Sequence, residues 1–206
     1  RHVSPRPRFG RNPAPAQALM RNLTVAALLA LTVGGCASVP PTSRIEPEAS
    51  FSPSWTLQGR IGVQSGEQSL SGQIHWQHRV ATDEVLMTSP LGQGVARIVR
   101  DADGVALEIP NQPTRRAPDA DTLTREALGY VLPLSGLTWW MQARPDPDHL
   151  YEATRDPNGR LTQLRQNGWV IDYLEYAADM PVRPRKLVVS REGLQIRLVT
   201  DSWQAE

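Results

Sequence analysis

Few side chains in this sequence have the type and spacing for covalent or acid–base chemistry. Beyond residue 35 the histidines are His75, His78 and His149. His75 and His78 stand three apart in an alternating segment, so they point to opposite faces and cannot chelate one metal together. His75 shares its polar face with Ser71 and Gln73. No His-Glu-x-x-His, no Gly-x-Ser-x-Gly and no phosphate-cradling Gly-Lys-Ser/Thr loop occurs. The acids Asp101, Asp103, Asp146, Asp148 and Asp156 fall in turns, where solvation accounts for them. A single lysine, Lys186, and scattered arginines make no basic stripe for nucleic acid. One cysteine, Cys36, excludes a disulfide framework and a Cys-rich zinc site. No catalytic residue, cofactor or metal is expected.

The surroundings of Cys36 give that thiol a different chemistry. Met20-Arg21-Asn22 is followed by an uncharged stretch from Leu23 to Val33 and then by Gly34-Gly35-Cys36. A positive start, a short apolar run and small residues before a cleavage point make a secretory signal over 20–35, too short to span a bilayer. Val33-Gly34-Gly35-Cys36 is similar to a bacterial lipobox, in which the cysteine thiol receives a diacylglycerol and becomes the new N-terminus. Ala37, where aspartate commonly marks inner-membrane retention, points by the same resemblance to the outer membrane. Residues 1–19 contain no Met and read as an unstructured upstream extension; 36–54, with four prolines among Ser, Thr and Ala, read as a flexible tether behind the lipidated cysteine.

Removing the leader changes the charge. The whole chain carries 22 Lys and Arg against 21 Asp and Glu. Five arginines and no acid lie in residues 1–35, so the remainder has 17 cations against 21 anions, a net charge of −4. An acidic domain is poorly suited to binding anionic lipid by electrostatics, which leaves attachment to acyl chains.

The elements that would position any site are mostly strands. Trp55, Leu57, Gly59, Ile61 and Val63 alternate with polar neighbours, as do Leu70, Gly72, Ile74 and Trp76. Further short strands are expected at 85–88, 95–100, 105–109, 169–174, 185–190 and 194–200, with hairpin turns at Asp103-Gly104, Asn158-Gly159, Asn167-Gly168 and Glu192-Gly193. Asp121 or Thr122 is expected to cap a helix ending near Gly129, and Ser135 a second one carrying Leu137, Trp140 and Met141. About ten short strands with two helices in the middle predict one domain, 55–206, built as a curled antiparallel sheet. The glycines within strands fit its bends. Six tryptophans against two phenylalanines are either ordinary core or the lining of a lipid site. Ser89-Pro90-Leu91-Gly92 has turn chemistry with an apolar centre. Such a tip either folds back onto the core or touches a membrane or partner.

In this order the lipobox, the tether, Trp55-x3-Gly59-Arg60, the strand ending at Trp76, Ser89-Pro90-Leu91-Gly92, Leu132-Pro133-Leu134-x2-Leu137-x2-Trp140, Asn167-Gly168-Trp169-x3-Tyr173 and Trp203 resemble the LolB family, over essentially all of 36–206. The segment from Pro145 to Arg160 departs from the pattern. The resemblance implies a mainly β fold, an unclosed antiparallel β-barrel whose hydrophobic cavity is covered by short helices. It implies a monomeric, non-enzymatic outer-membrane receptor of the Lol lipoprotein-sorting pathway. Such a receptor faces the periplasm, accepts acylated lipoproteins from the soluble carrier LolA and inserts them into outer-membrane lipid. It makes the loop of Pro90, Leu91 and Gly92 the membrane-insertion loop. Inward positions expected to line the cavity are Leu57, Ile61, Ile74, Trp76, Leu86, Leu107, Leu128, Leu137, Trp140, Ile171 and Leu198. Arg60 and Arg97 are candidates for meeting acidic groups of the carrier. The rival readings are an envelope lipoprotein that holds a hydrophobic ligand without transferring it, and a structural subunit of an envelope assembly.

Overall fold

The computed structural model describes residues 51–178 and 183–206. The signal segment, Cys36 and the tether up to residue 50 lie outside the described residues. The domain is one antiparallel sheet of β1 (Trp55–Ser65), β2 (Gln68–Arg79), β3 (Thr82–Thr88), β4 (Gly94–Asp101), β5 (Gly104–Glu108), β6 (Arg115–Ala117), β7 (Tyr151–Arg155), β8 (Leu161–Gln166), β9 (Trp169–Tyr176), β10 (Pro184–Arg191) and β11 (Leu194–Ala205). Helices α1 (Ala120–Leu128) and α2 (Leu134–Trp140) interrupt it. Neither is long and apolar enough to cross a membrane.

The strand order is β6-β5-β4-β3-β2-β1-β11-β10-β9-β8-β7. Two meanders therefore grow outward in opposite directions from the β1–β11 pair, and their outermost strands, β6 and β7, stay unpaired with each other. The chain crosses from one free edge to the other through the two helices. The sheet is open, and α1 and α2 bridge its gap.

Strand alternation works as expected: the buried positions of β1 are Trp55, Leu57, Gly59, Ile61 and Val63, and Ile61 pairs with Leu198 of β11. The curl needs close backbone approaches. A Cβ on Gly59 would stand 2.2 Å from the Val199 carbonyl oxygen, and one on Gly72 would stand 2.2 Å from that of Thr88. Gly62 meets nothing nearer than 4.0 Å, so its presence has no such packing reason.

Several local expectations need correction. The short edge strands β6 and β7 carry no clear alternation, because neither face of β7 is covered and β6 is only three residues long. The N-cap of α1 is Asp119, whose carboxylate accepts from the Thr122 amide at 2.7 Å, rather than Asp121 or Thr122; Gly129 ends the helix in the left-handed conformation, as expected. Helix α2 has Pro133 at its N-cap position and no side-chain cap, and Ser135 lies inside its first turn. Asn167-Gly168 and Glu192-Gly193 both have two positive φ angles, as a type I′ turn requires, whereas at Asp103-Gly104 only Gly104 does. There the Asp101 carboxylate accepts from the Asp103 amide and stabilises a different turn.

Candidate functional site: an apolar interior with an exposed leucine tip

The buried faces of the strands and helices make one apolar cluster. Nine of the eleven expected lining residues belong to it: Leu57, Ile61, Ile74, Trp76, Leu107, Leu137, Trp140, Ile171 and Leu198. Leu128, the last residue of α1, is half-buried against its edge. Leu86 is a correction. The register pairs it with His75 and Arg97 on the outer face, and the inward residues of β3 are Val85 and Met87. The nine buried members are at most 7% exposed, so their side chains close on one another. Two surface grooves, of about 440 and 520 Å³, lie along the sheet rim between Gln64 and Leu150 and include none of the eleven.

Helix α2 is shaped to bring a tryptophan into this interior. A Cβ on Gly136 would collide with the Trp140 ring at 2.5 Å, so the missing side chain is what allows that ring to fold back over the helix. The Trp140 indole then donates to Gln166 Oε1 at 2.9 Å, and the Tyr173 hydroxyl donates to the Trp140 carbonyl at 3.1 Å. On the other side, Phe51 stacks on Trp139 with ring centroids 5.0 Å apart, and the Ser52 amide donates to Gln142 Oε1.

At the opposite wall stands a polar group that sequence reasoning missed. Asp83 is buried and receives the Trp76 indole at 2.9 Å, Arg100 Nε at 2.6 Å and His78 Nδ1 at 2.7 Å. Burial pushes its carboxyl up, but the hydrogen bonds from His78 and Trp76, with the charges of His78 and Arg100, outweigh it and hold Asp83 below the usual carboxylate range. The available signal was its place in the inward series Asp83, Val85, Met87. Next to it, Trp55 lies 4.4 Å from Trp203 and 5.1 Å from Trp76, centroid to centroid. The indole N–H groups of Trp55 and Trp203 are buried with no acceptor among the described residues.

The loop from Thr88 to Gly94 resolves the choice left open by its composition. Ser89 accepts the Gly92 amide at 2.8 Å and donates its own amide to Gln93 at 2.8 Å. Pro90 stands second and Gly92, at φ 83°, fourth in this turn, the positions those residues favour. Leu91 at its tip is 89% exposed and does not fold back. Arg60 and Arg97 are both engaged within the domain: Arg60 with Asp201 at 2.9 Å, and Arg97 with Glu84 and Glu108 at 2.7 and 2.9 Å.

The family model of the outer membrane lipoprotein LolB matches residues 53–203, nearly the whole described domain. The chain belongs to the LolB family. It is 60% identical over 186 residues to the outer-membrane lipoprotein LolB of Thiobacillus denitrificans, covering 90% of this chain and 99% of that one. It is 40% identical to the LolB of Nitrosomonas europaea, covering 74% and 73% of the two chains. Like its relatives, the chain is an outer-membrane lipoprotein of the lipoprotein-sorting pathway. The buried cluster, the Asp83 group and the Leu91 tip all lie inside the segment that the LolB family model matches. In LolB terms the Leu91 turn is therefore part of the family domain and not an appendage to it.

Proposed function

We propose that this protein accepts acylated lipoproteins from the periplasmic carrier LolA, holds their acyl chains against its apolar interior, and releases them into the outer membrane. It does so while anchored at the periplasmic face through a lipid on Cys36. The observation that carries this reading is Leu91, a leucine that projects into water from an ordered turn. An exposed apolar tip costs solubility and supports a membrane contact.

The energetics of the cargo explain why a receptor with no reacting groups suffices. Three acyl chains of about 15 methylenes, at about 0.8 kcal/mol each, cost on the order of 35 kcal/mol to expose to water. Free diffusion is closed to such a cargo, so it passes from one apolar host to the next. A bias of about 1.4 kcal/mol at each step gives tenfold direction without a nucleotide. The buried indole N–H groups of Trp55 and Trp203 suit the same ligand, because the ester carbonyls of a diacylglyceryl group are acceptors.

Leu91→Glu tests the reading. The variant should accept cargo from the carrier as the parent does, because Leu91 has no part in the buried cluster, and should fail to deliver it into liposomes. Normal delivery would remove the role of the loop. Normal acceptance in a parent protein that never delivers would favour the rival in which the domain stores a hydrophobic ligand.

A further inference from the structure

Leu150 is 96% exposed, more so even than Leu91 at 89%. It lies just before β7, inside the segment that the family model matches. The register places both leucines at one end of the sheet. Strands β3 and β8 run toward that end and β4 and β7 away from it, so the β3–β4 connection with Leu91 and the entry to β7 with Leu150 share it with the turns 66–67, 167–168 and 192–193. Val80, 76% exposed in the β2–β3 turn, marks the opposite end.

Leu150 is held in place rather than left on a loose loop. The buried Gln166 side chain donates to the carbonyls of Asp146 at 2.8 Å and His149 at 3.0 Å, and accepts the Asp146 amide at 2.9 Å. Asp146 in turn accepts from the Asp148 amide at 3.1 Å. A buried side chain thus spends its hydrogen bonds on fixing the turn just before an apolar residue that points into water. The surface beside it is a shallow groove of about 520 Å³ bounded by Leu150, Arg165 and Glu152, which adjoins a second groove bounded by Arg191 and Glu192.

We propose that Leu150 is a second lipid-contacting residue, so that the domain meets the bilayer surface through two leucines at one end. The inference rests on the membrane role proposed for Leu91. A lone leucine with one neighbouring half-exposed tyrosine, Tyr151, offers far less area than the roughly 800 Å² per partner of a stable protein interface. A bilayer surface takes up single apolar side chains at the boundary of headgroups and acyl chains. Arg165 opposite Glu152 in the register, and Arg191 next to Glu192 in the chain, give the rim charges of both signs, which match the ammonium and phosphate of a zwitterionic headgroup.

The test uses the full chain carrying Cys36→Ala, held by an N-terminal histidine tag on phosphatidylethanolamine-rich liposomes that contain a nickel-chelating lipid. Leu91→Cys, Leu150→Cys and Val80→Cys each then supply one thiol for an environment-sensitive fluorophore. The proposal expects a blue shift and quenching by nitroxide-labelled lipid at positions 91 and 150, and neither at 80. A response at 91 without one at 150 overturns the proposal and leaves the Leu91 reading standing. No response at 91 removes that reading, and the two-leucine arrangement with it. Equal responses at 150 and 80 would show unoriented adsorption and also overturn it. All three positions are exposed, so the substitutions leave the core intact.

Discussion

Trp55 and Trp76 share one aromatic cluster, yet their indole nitrogens have opposite situations: Trp76 donates to the Asp83 carboxylate and Trp55 has no acceptor among the described residues. Replacing either with Phe removes a similar volume of buried ring, so the difference between the two variants isolates the N–H. Trp76→Phe takes a donor from a buried carboxylate, a loss of about 1.5–3 kcal/mol beyond the packing cost. Trp55→Phe removes a donor whose burial is already unfavourable, which offsets part of its packing cost. Urea unfolding of the two variants should therefore put Trp76→Phe about 2 kcal/mol below Trp55→Phe, and equal midpoints would contradict the hydrogen-bond assignment. At this scale the sequence made the tryptophans conspicuous by number. It did not separate bonded from unbonded indoles, because the acceptor is chosen by cross-strand register: Trp76 stands opposite Val85, which brings Asp83 within reach.

The strands owe their curl to specific glycines, and Gly59, Gly62 and Gly72 are not equivalent. Gly59 and Gly72 stand where another strand's carbonyl occupies the space of a side chain, while Gly62 faces open space. Gly59→Ala should destabilise the domain by about 1–3 kcal/mol, because the colliding atom is backbone and cannot rotate away. Gly62→Ala should be neutral or slightly stabilising, since alanine lowers the entropy of the unfolded chain at an uncrowded position. Thermal melts of the two variants check this, and similar losses in both would mean that the curl does not depend on the Gly59 approach. Gly72 adds a link to function: its close contact with Thr88 sits at the root of the Leu91 turn. The sequence marked all three glycines as bends, since an alternating pattern interrupted by glycine reads the same whether or not a neighbour presses on it.

In the whole molecule, the helical crossing between edges β6 and β7 is the part of the apolar shell that is not tied into the sheet ladder. The interior side chains close on one another, so an acyl chain entering the domain must part them. Separating α1 and α2 from the sheet breaks side-chain contacts and a few bonds such as Trp140 to Gln166, whereas separating paired strands breaks ladders of backbone bonds. Hydrogen exchange should therefore quicken in 120–141 when acylated cargo is bound, with β1, β2, β10 and β11 unchanged. Slower exchange in the helices on loading would mean that the chains bind without displacing them.

The sequence by itself determined the alternation of the long strands, the helix stop at Gly129 and the apolar turn at Leu91. Each of these depends on neighbours within a few residues, through turn chemistry or side-chain period. Which residues meet was decided only by the tertiary structure. Leu86 fell on the outer face because the register of β3 against β2 selects Val85 and Met87, and a one-residue difference in register exchanges the faces. Asp83 became an interior anion, and Arg60 and Arg97 entered ion pairs on the domain surface, because their partners lie on other strands. Leu150 was indistinguishable from a core leucine in a line of text. Its exposure follows from an edge strand with nothing packed on either face and from a buried glutamine that holds the preceding turn outward.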